Sequence, residues 1–239
     1  MPGKRVSRVR RRSRRGVAVT VVAAALLAVL AGWSVTTLLS AGDDLPGGAG
    51  LLGGGNRDRD ASTAALLESC AYDVARADEA VTAGRAGIDG WQTHLQARTD
   101  MLAGTITEAE MENVWDRTRL AGPDHVRRFD AAVEAYDGVT ACERFDGANV
   151  GSAAQQWAAE DCTERARAAD RAVTAAQAAL REWTAHLRHM EEFRDGGMTV
   201  GHAQHLWIAA WRKAPANIDA FDRARAVLDA APRCVSPKG

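Results

Sequence analysis

The second half of this chain repeats the first at a fixed distance of 92 residues. Residues 70–142 and 162–234 align without a gap and share 20 identities in 73 positions. The identities include the rarest residue types, and the most informative pairs are Cys70 with Cys162, Trp91 with Trp183, His94 with His186, Trp115 with Trp207, Phe129 with Phe221 and Cys142 with Cys234. Self-similarity at a fixed period indicates a tandem duplication of one structural unit. The repeat therefore separates residues that both units share from residues that only one unit has.

Each unit begins with a predicted long helix. From Leu67 to Leu102, mostly apolar and small side chains recur at alternating steps of three and four residues, and residues 159–194 repeat this register. Such spacing places one seam along one face of a helix. Gly104 and Gly196 mark the ends of the two helices. No alternating run of β-branched residues predicts a strand, so the predicted fold class is all-α.

A return arm follows each long helix. Thr107 and Glu110 have the spacing of a capping box at the start of the first arm. Each arm contains a proline, Pro123 or Pro215, and we expect the arm to break or kink there because proline lacks a backbone N–H. Each unit is thus predicted to be a kinked helical hairpin. Two hairpins can bury their seams together as a bundle, or leave a seam open for a partner helix.

The four cysteines fit this hairpin. Cys70 lies 34 residues before Gly104, and Cys142 lies 38 residues after it. Two arms of roughly 50–55 Å, at 1.5 Å per residue, return the second cysteine to the level of the first. We therefore predict disulfides Cys70–Cys142 and Cys162–Cys234. A zinc site is the competing use of four cysteines, but none of them has the short spacing of a zinc motif.

The N-terminal segment predicts a membrane anchor. Residues 4–15 hold eight Lys or Arg and no acid, and the 23 residues of 17–39 are apolar and uncharged. A helix of that length reaches about 35 Å, and a bilayer core is about 30 Å thick. The positive-inside rule keeps the basic flank cytoplasmic and places the C-terminal domain outside the cell membrane. The alternative is a signal peptide cleaved near residues 40–42, which would release a secreted domain.

Composition divides the chain into seven segments. In order they are a basic cytoplasmic tail (1–16), a single-pass transmembrane signal-anchor (17–40), a Gly-rich flexible tether (41–60), helical repeat 1 (61–142), a linker (143–152), helical repeat 2 (153–234) and a short tail (235–239). Eight of the 30 basic residues precede the first acid, Asp43, so the exported part carries 22 basic and 31 acidic residues, a net charge of −9. Nucleic acid is not an expected partner, because phosphate binding needs a basic patch.

One aromatic and histidine cluster occurs in both units. It comprises Trp91, His94 and Trp115 in the first unit and Trp183, His186 and Trp207 in the second. Residues 94 and 115 are predicted to lie level across the hairpin, so that imidazole and indole can touch. The cluster is interpreted either as a structural core or as an aromatic pocket with a titratable histidine.

The second unit adds further candidate metal ligands around its hairpin tip. The candidate set is His186, His189, Met190, Met198, His202 and His205. Imidazole suits Cu, Zn or Ni, and thioether adds a preference for Cu(I). The first unit has Ala97, Glu110 and Asn113 in place of three of these histidines, so the fold does not require them. The alternative is a solvated helix surface that happens to carry histidines.

No catalytic motif is present in the sequence. It has no G-x-S-x-G elbow and no Gly-rich phosphate loop after a strand, so an enzyme and a resident cofactor are not expected. The predicted function is a membrane-anchored extracytoplasmic scaffold, interaction or sensor-like module of the cell envelope. Its partner would be another envelope protein or a second copy. The alternative is extracytoplasmic Cu or Zn binding at the tip of the second unit.

Overall fold

The computed structural model describes residues 54–136, 138–145 and 151–235. Within these ranges the chain forms helices and no strand, which confirms the predicted all-α class. The five helices are α1 (Gly54–Leu102), α2 (Glu108–Glu134), α3 (Thr140–Glu143), α4 (Ala153–Arg194) and α5 (Val200–Ala230). Residues 54–60, which the sequence assigned to the tether, belong to α1. This end of α1 contacts α4, because Gln155 Nε2 donates a hydrogen bond to the Asp60 carbonyl oxygen at 3.1 Å.

The predicted signal-anchor (17–40), the basic tail before it and the tether up to residue 53 lie outside the described residues, as do linker residues 146–150. Among the helices that the structure describes, none is long and apolar enough to span a bilayer.

The two long helices α1 and α4 form a parallel central pair. Three contacts between them occur in the same order along both helices: Asp60 with Gln155, Asp78 with Arg165, and His94 with His186. In the second of these, Arg165 Nη2 lies 2.8 Å from Asp78 Oδ2. α1 and α4 therefore lie side by side with their N-termini at the same end.

The return helices α2 and α5 pack on the outside of this pair. α2 packs mainly on α1 and also on α4, whereas α5 packs mainly on α4 and also on α1. Gly104 and Gly196, with φ of +73° and +74°, provide the left-handed residue at each tight hairpin turn. Thr107 and Thr199 then cap the return helices through their side-chain oxygens.

Neither proline ends its return helix. α2 continues through Pro123 and α5 continues through Pro215. Both prolines lie on exposed positions, where water can solvate the carbonyl that loses its helical N–H partner. The predicted break at these positions is therefore wrong, and each return arm is one continuous element.

The hydrophobic core lies along the contact between α1 and α4. Its largest fully buried side chains include Trp91 and Trp183, whose rings stack with centroids 4.6 Å apart. On the N-terminal side of the tryptophans, the middle of the interface contains small residues, which allow the two backbones to approach closely. These include Ala77, Ala80, Ala166, Ala169 and Ala172, all fully buried.

Both predicted disulfides are confirmed. Cys70 is bonded to Cys142 and Cys162 to Cys234, and each bond closes a sequence separation of 72 residues. The two bonds are neighbours, since sulfur atoms of Cys70, Cys162 and Cys234 all lie within 4.8 Å of one another. Cys142 lies in the short helix α3, whereas Cys234 lies in an extended segment after α5.

Candidate functional site

Two buried histidines meet at the centre of the bundle. His94 on α1 and His186 on α4 are 2% and 6% exposed, and their Nε2 atoms lie 3.2 Å apart. Packing of α1 on α4 in register brings them together, because each follows its stacked tryptophan by three residues and so lies on the same helix face. The pair is a buried polar contact among the apolar side chains of the core.

A hydrogen-bond chain defines the protonation pattern of this pair. Thr118 Oγ1 lies 2.8 Å from His94 Nδ1, and the carbonyl oxygens of Val114 and Trp115 lie 2.9 Å and 3.1 Å from it. With the single hydroxyl proton directed to these carbonyls, the oxygen accepts from His94 Nδ1–H. His94 Nε2 then carries a lone pair and accepts a hydrogen bond from His186 Nε2–H. This assignment leaves His186 Nδ1 unprotonated, buried and without a hydrogen-bond partner.

Both imidazoles are neutral. Burial lowers the pKa of His94 far below its usual value, and the charge of His186 lowers it further. Burial likewise lowers the pKa of His186, with a smaller contribution from His189. Two adjacent imidazolium ions in an apolar interior would repel each other without solvent to screen them, so the pair offers lone pairs rather than charge.

Indole rings enclose the pair. Trp115 stacks on His94 with centroids 5.1 Å apart, and its Nε1 donates to the His94 carbonyl oxygen at 2.9 Å. Trp207 meets His186 edge-on at 6.5 Å, and its Nε1 is buried without a hydrogen-bond partner. The equivalent contacts of the two halves are therefore unequal, because Trp115 Nε1 is hydrogen-bonded whereas Trp207 Nε1 is not.

A small cavity of about 70 Å³ opens beside the two imidazoles. Three indoles line it (Trp115, Trp207 and Trp211), together with Leu95, Arg98 and Met190. The Arg98 guanidinium lies 5.3 Å from the centre of the Trp211 ring in a cation–π contact. The cavity is thus mostly aromatic, with a thioether and two imidazoles on its wall.

Each hairpin also has a surface groove at an equivalent place. The α1–α2 groove measures about 490 Å³ and the α4–α5 groove about 570 Å³. Four lining positions of the two grooves lie 92 residues apart: Asp89 and Arg181, Thr93 and Ala185, Ala97 and His189, and Val114 and Leu206. The side chains at these paired positions differ.

The charges of the two grooves are opposite. Asp89 and Asp100 line the α1–α2 groove without a Lys or Arg. Arg181, Lys213 and Glu182 line the α4–α5 groove, two basic side chains against one acidic, and Lys213 forms an ion pair with Glu182. His186 lines both the α4–α5 groove and the central cavity, so it separates the two.

The six predicted metal ligands occupy three places. His186 lies in the central pair, with Met190 at the adjacent cavity. His189 lies half-buried in the α4–α5 groove, and Met198 is half-buried just before α5, whose first turns carry His202 and His205 on the surface. Within the described residues, only three disulfide cysteines form a group of three or more His, Cys, Asp or Glu with ligand atoms within 4.8 Å. The structure therefore does not assemble the tip histidines into one site.

The sequence did not reveal two features of this site. One is the contact of His94 with His186, because the repeat aligned the two histidines without indicating that they face each other. The other is Thr118, which has no counterpart in the second half, where Ala210 occupies the equivalent position. The sequence could have indicated Thr118 only as a polar residue on the return arm, near the level of His94.

Comparison with known proteins gives no identification: no family model, no curated protein and no solved structure matches this chain.

Proposed function

We propose that this protein is a membrane-anchored, extracytoplasmic helical module that binds a partner in its α4–α5 groove and catalyses no reaction. The apolar segment 17–39 behind a basic flank supports the anchor and the orientation. The two disulfides support an exported domain, because such bonds persist in oxidising compartments.

The observation that carries this proposal is the difference between the two grooves. Positions 92 residues apart occupy equivalent places in each hairpin, so the fold tolerates both linings. The α1–α2 groove is acidic, with Gln92, Thr93 and Gln96 on its wall. The α4–α5 groove is lined by four alanines and by two basic residues, of which Lys213 is paired with Glu182 and Arg181 is exposed. Because the fold does not require these particular side chains in the groove, they can serve to recognise a partner.

The lining of the α4–α5 groove favours one kind of partner. Four alanines (Ala178, Ala185, Ala209 and Ala210) allow a helix to approach closely, and Leu206 adds apolar surface. The lining residues of α4 run from 178 to 189, which is roughly 16 Å or three helical turns. Arg181 at the rim favours acidic side chains. The expected partner is therefore an amphipathic helix of another envelope protein, with small or apolar residues on one face and acids beside them.

Site-directed photo-cross-linking tests this function. A photoreactive side chain replaces Ala209, which is exposed in the α4–α5 groove, in the full-length protein expressed in its own cells. The matched control replaces Arg117, which is exposed at the position 92 residues earlier on α2. We expect position 209, and not position 117, to cross-link one segment whose sequence is acidic and amphipathic.

Charge reversal then tests recognition. Arg181→Glu should abolish the cross-link from position 209, whereas Arg171→Glu, an exposed change on α4 outside the groove lining, should leave it unchanged. Equal cross-linking from both positions, a basic captured segment, or insensitivity to Arg181→Glu would contradict the proposal. If the cross-linked segment is an acidic segment of a second copy of this chain, the groove serves self-association and not the binding of another protein.

Membrane location needs its own measurement. We expect the full-length protein to remain in membranes after alkaline carbonate washing and to retain residues 1–40 on N-terminal sequencing. A soluble protein that begins near residue 41 would instead show a cleaved signal peptide.

A further inference from the structure

The spacing of the two central imidazoles matches that of two metal ligands. Their Nε2 atoms are 3.2 Å apart, and two nitrogens bound at 2.0–2.1 Å to a tetrahedral metal lie about 3.3 Å from each other. The Thr118 hydroxyl fixes His94 through Nδ1 at 2.8 Å, which directs the Nε2 lone pair toward His186. A hydrogen bond to the other ring nitrogen is the usual way in which proteins orient a metal-ligating histidine.

Met190 is the candidate third ligand. Met190 follows His186 by four residues on α4 and lines the same cavity as both histidines. Among the described residues, no further His, Cys, Asp or Glu lies near enough to these two nitrogens to complete a ligand group. Two imidazoles and a thioether form a soft, neutral ligand set, which prefers Cu(I) to Zn(II) or Mg(II).

The surroundings favour a monovalent ion. Among the described residues that line the cavity none carries a carboxylate, and Arg98 adds one positive charge there, so a divalent ion would be buried without compensation.

We propose that His94, His186 and Met190 form a buried Cu(I) site between α1 and α4. On binding, the single ring proton of His186 moves from Nε2 to its free Nδ1, so that both Nε2 lone pairs face the ion. Access runs through the α4–α5 groove, which His186 also lines and which contains His189. This site does not depend on the partner-binding function proposed above.

Titration of the oxidised full-length protein in detergent tests the site. The probes are Ag(I), which imitates Cu(I) without redox chemistry, and Cu(I) held by ascorbate with a competing chelator. We expect one equivalent to bind and to quench tryptophan fluorescence, because the indoles surround the ligands. Zn(II) should bind far more weakly, and tight Zn(II) binding would overturn the assignment to Cu(I).

Variants distinguish the buried site from the surface histidines. Met190→Leu should weaken Ag(I) binding at least about tenfold, since loss of even an outer partner of a metal ligand costs that much. Met198→Leu is the matched control, because Met198 is also half-buried but lies outside the cavity. The triple variant His189→Ala, His202→Glu and His205→Asn should also bind normally. Loss of binding in the triple variant, or normal binding by Met190→Leu, would overturn the proposal.

Direct removal of an imidazole completes the test. His186→Leu should abolish binding, and circular dichroism must show native helical content for that result to count. If His186→Leu does not fold, the wild-type protein is used instead. Addition of Ag(I) should then shift the NMR signals of the His94 and His186 rings. Unshifted ring signals at one equivalent of Ag(I) would exclude these ligands.

Discussion

His94 Nε2 lies 3.2 Å from His186 Nε2, and the two histidines are 92 residues apart in the chain. Because α1 and α4 run parallel, each of these histidines meets the residue 92 positions away, as Trp91 also meets Trp183. In a hydrogen bond between the two Nε2 atoms, one neutral imidazole must donate and the other must accept. The pair must therefore adopt unequal tautomers, and Thr118, which is Ala210 in the other half, determines which histidine accepts.

Thr118→Val tests the role of this hydroxyl. The substitution keeps the side-chain shape but removes the acceptor for His94 Nδ1–H. A buried polar group without a partner costs about 1–3 kcal/mol, and we expect a loss of that size in the free energy of unfolding, measured by urea denaturation. Thr118→Ser keeps the hydroxyl and should recover most of the loss. Unchanged stability together with unchanged imidazole nitrogen shifts in Thr118→Val would show that the hydroxyl does not orient His94.

Gly122→Ala tests the contact between α2 and α4. A Cβ at this position would lie 2.7 Å from Leu187 Cδ1 and 3.1 Å from Trp183 Cζ2. Overpacking of a core typically costs about 1–3 kcal/mol, which exceeds the gain of about 1 kcal/mol from replacing a helical glycine by alanine. We expect a lower thermal midpoint. Gly201→Ala in α5 has open space around it and should be neutral or stabilising. A Gly122→Ala variant as stable as Gly201→Ala would contradict this packing.

Local patterns predicted much of the fold. The helical spacing on α1 and α4, the turn glycines Gly104 and Gly196, and the cysteine positions all reflect short-range geometry or chain length. Of the two outcomes predicted at each proline, a break or a kink, the break does not occur, because the cost of Pro123 depends on whether water reaches the freed carbonyl. That depends on the helix face that packs, which sequence spacing alone does not determine.

The candidate site was less predictable for a related reason. Histidines three residues apart share a helix face, but the sequence does not say which face the partner helix covers. The structure buries His186 against α1, whereas His202 and His205 remain on the surface. The meeting of His94 with His186 needs the parallel register of α1 and α4, which depends on the packing of the whole interface.

Removing the two disulfides should have unequal effects. Each closes a separation of 72 residues, for which the chain-entropy model gives about 4 kcal/mol. Cys70 and Cys142 are fully buried beside Val139 and Phe145, whereas Cys234 is partly exposed. The double variant Cys70→Ala/Cys142→Ala therefore also loses core packing. We expect it to unfold at lower urea concentration than Cys162→Ala/Cys234→Ala, and the opposite order would contradict the burial difference.

Single cysteine variants should rearrange. In Cys142→Ser the Cys70 thiol would lie within 4.8 Å of the sulfurs of Cys162 and Cys234, close enough to attack that disulfide after minor movement. Non-reducing peptide mapping should find Cys70 joined to one of these two residues in part of the population. A Cys70 thiol that remains fully free would show that the surrounding packing prevents exchange.

Tyr136 should make stability fall in alkaline solution. Burial raises the pKa of its phenol above the usual value of about 10, as do the hydrogen bond that it donates to Asp170 Oδ1 at 2.8 Å and the negative charges of Asp170, Asp73 and Glu143. The folded state therefore keeps a proton that the unfolded state releases above about pH 10, so this stabilisation is complete below that pH and is lost as pH rises further.

In urea denaturation from about pH 9 to about pH 11, the wild-type free energy of unfolding should fall more steeply than that of Tyr136→Phe. Tyr72→Phe removes the other tyrosine, which is 61% exposed, and should keep the wild-type slope. Equal slopes in Tyr136→Phe and wild type would refute the role of this phenol.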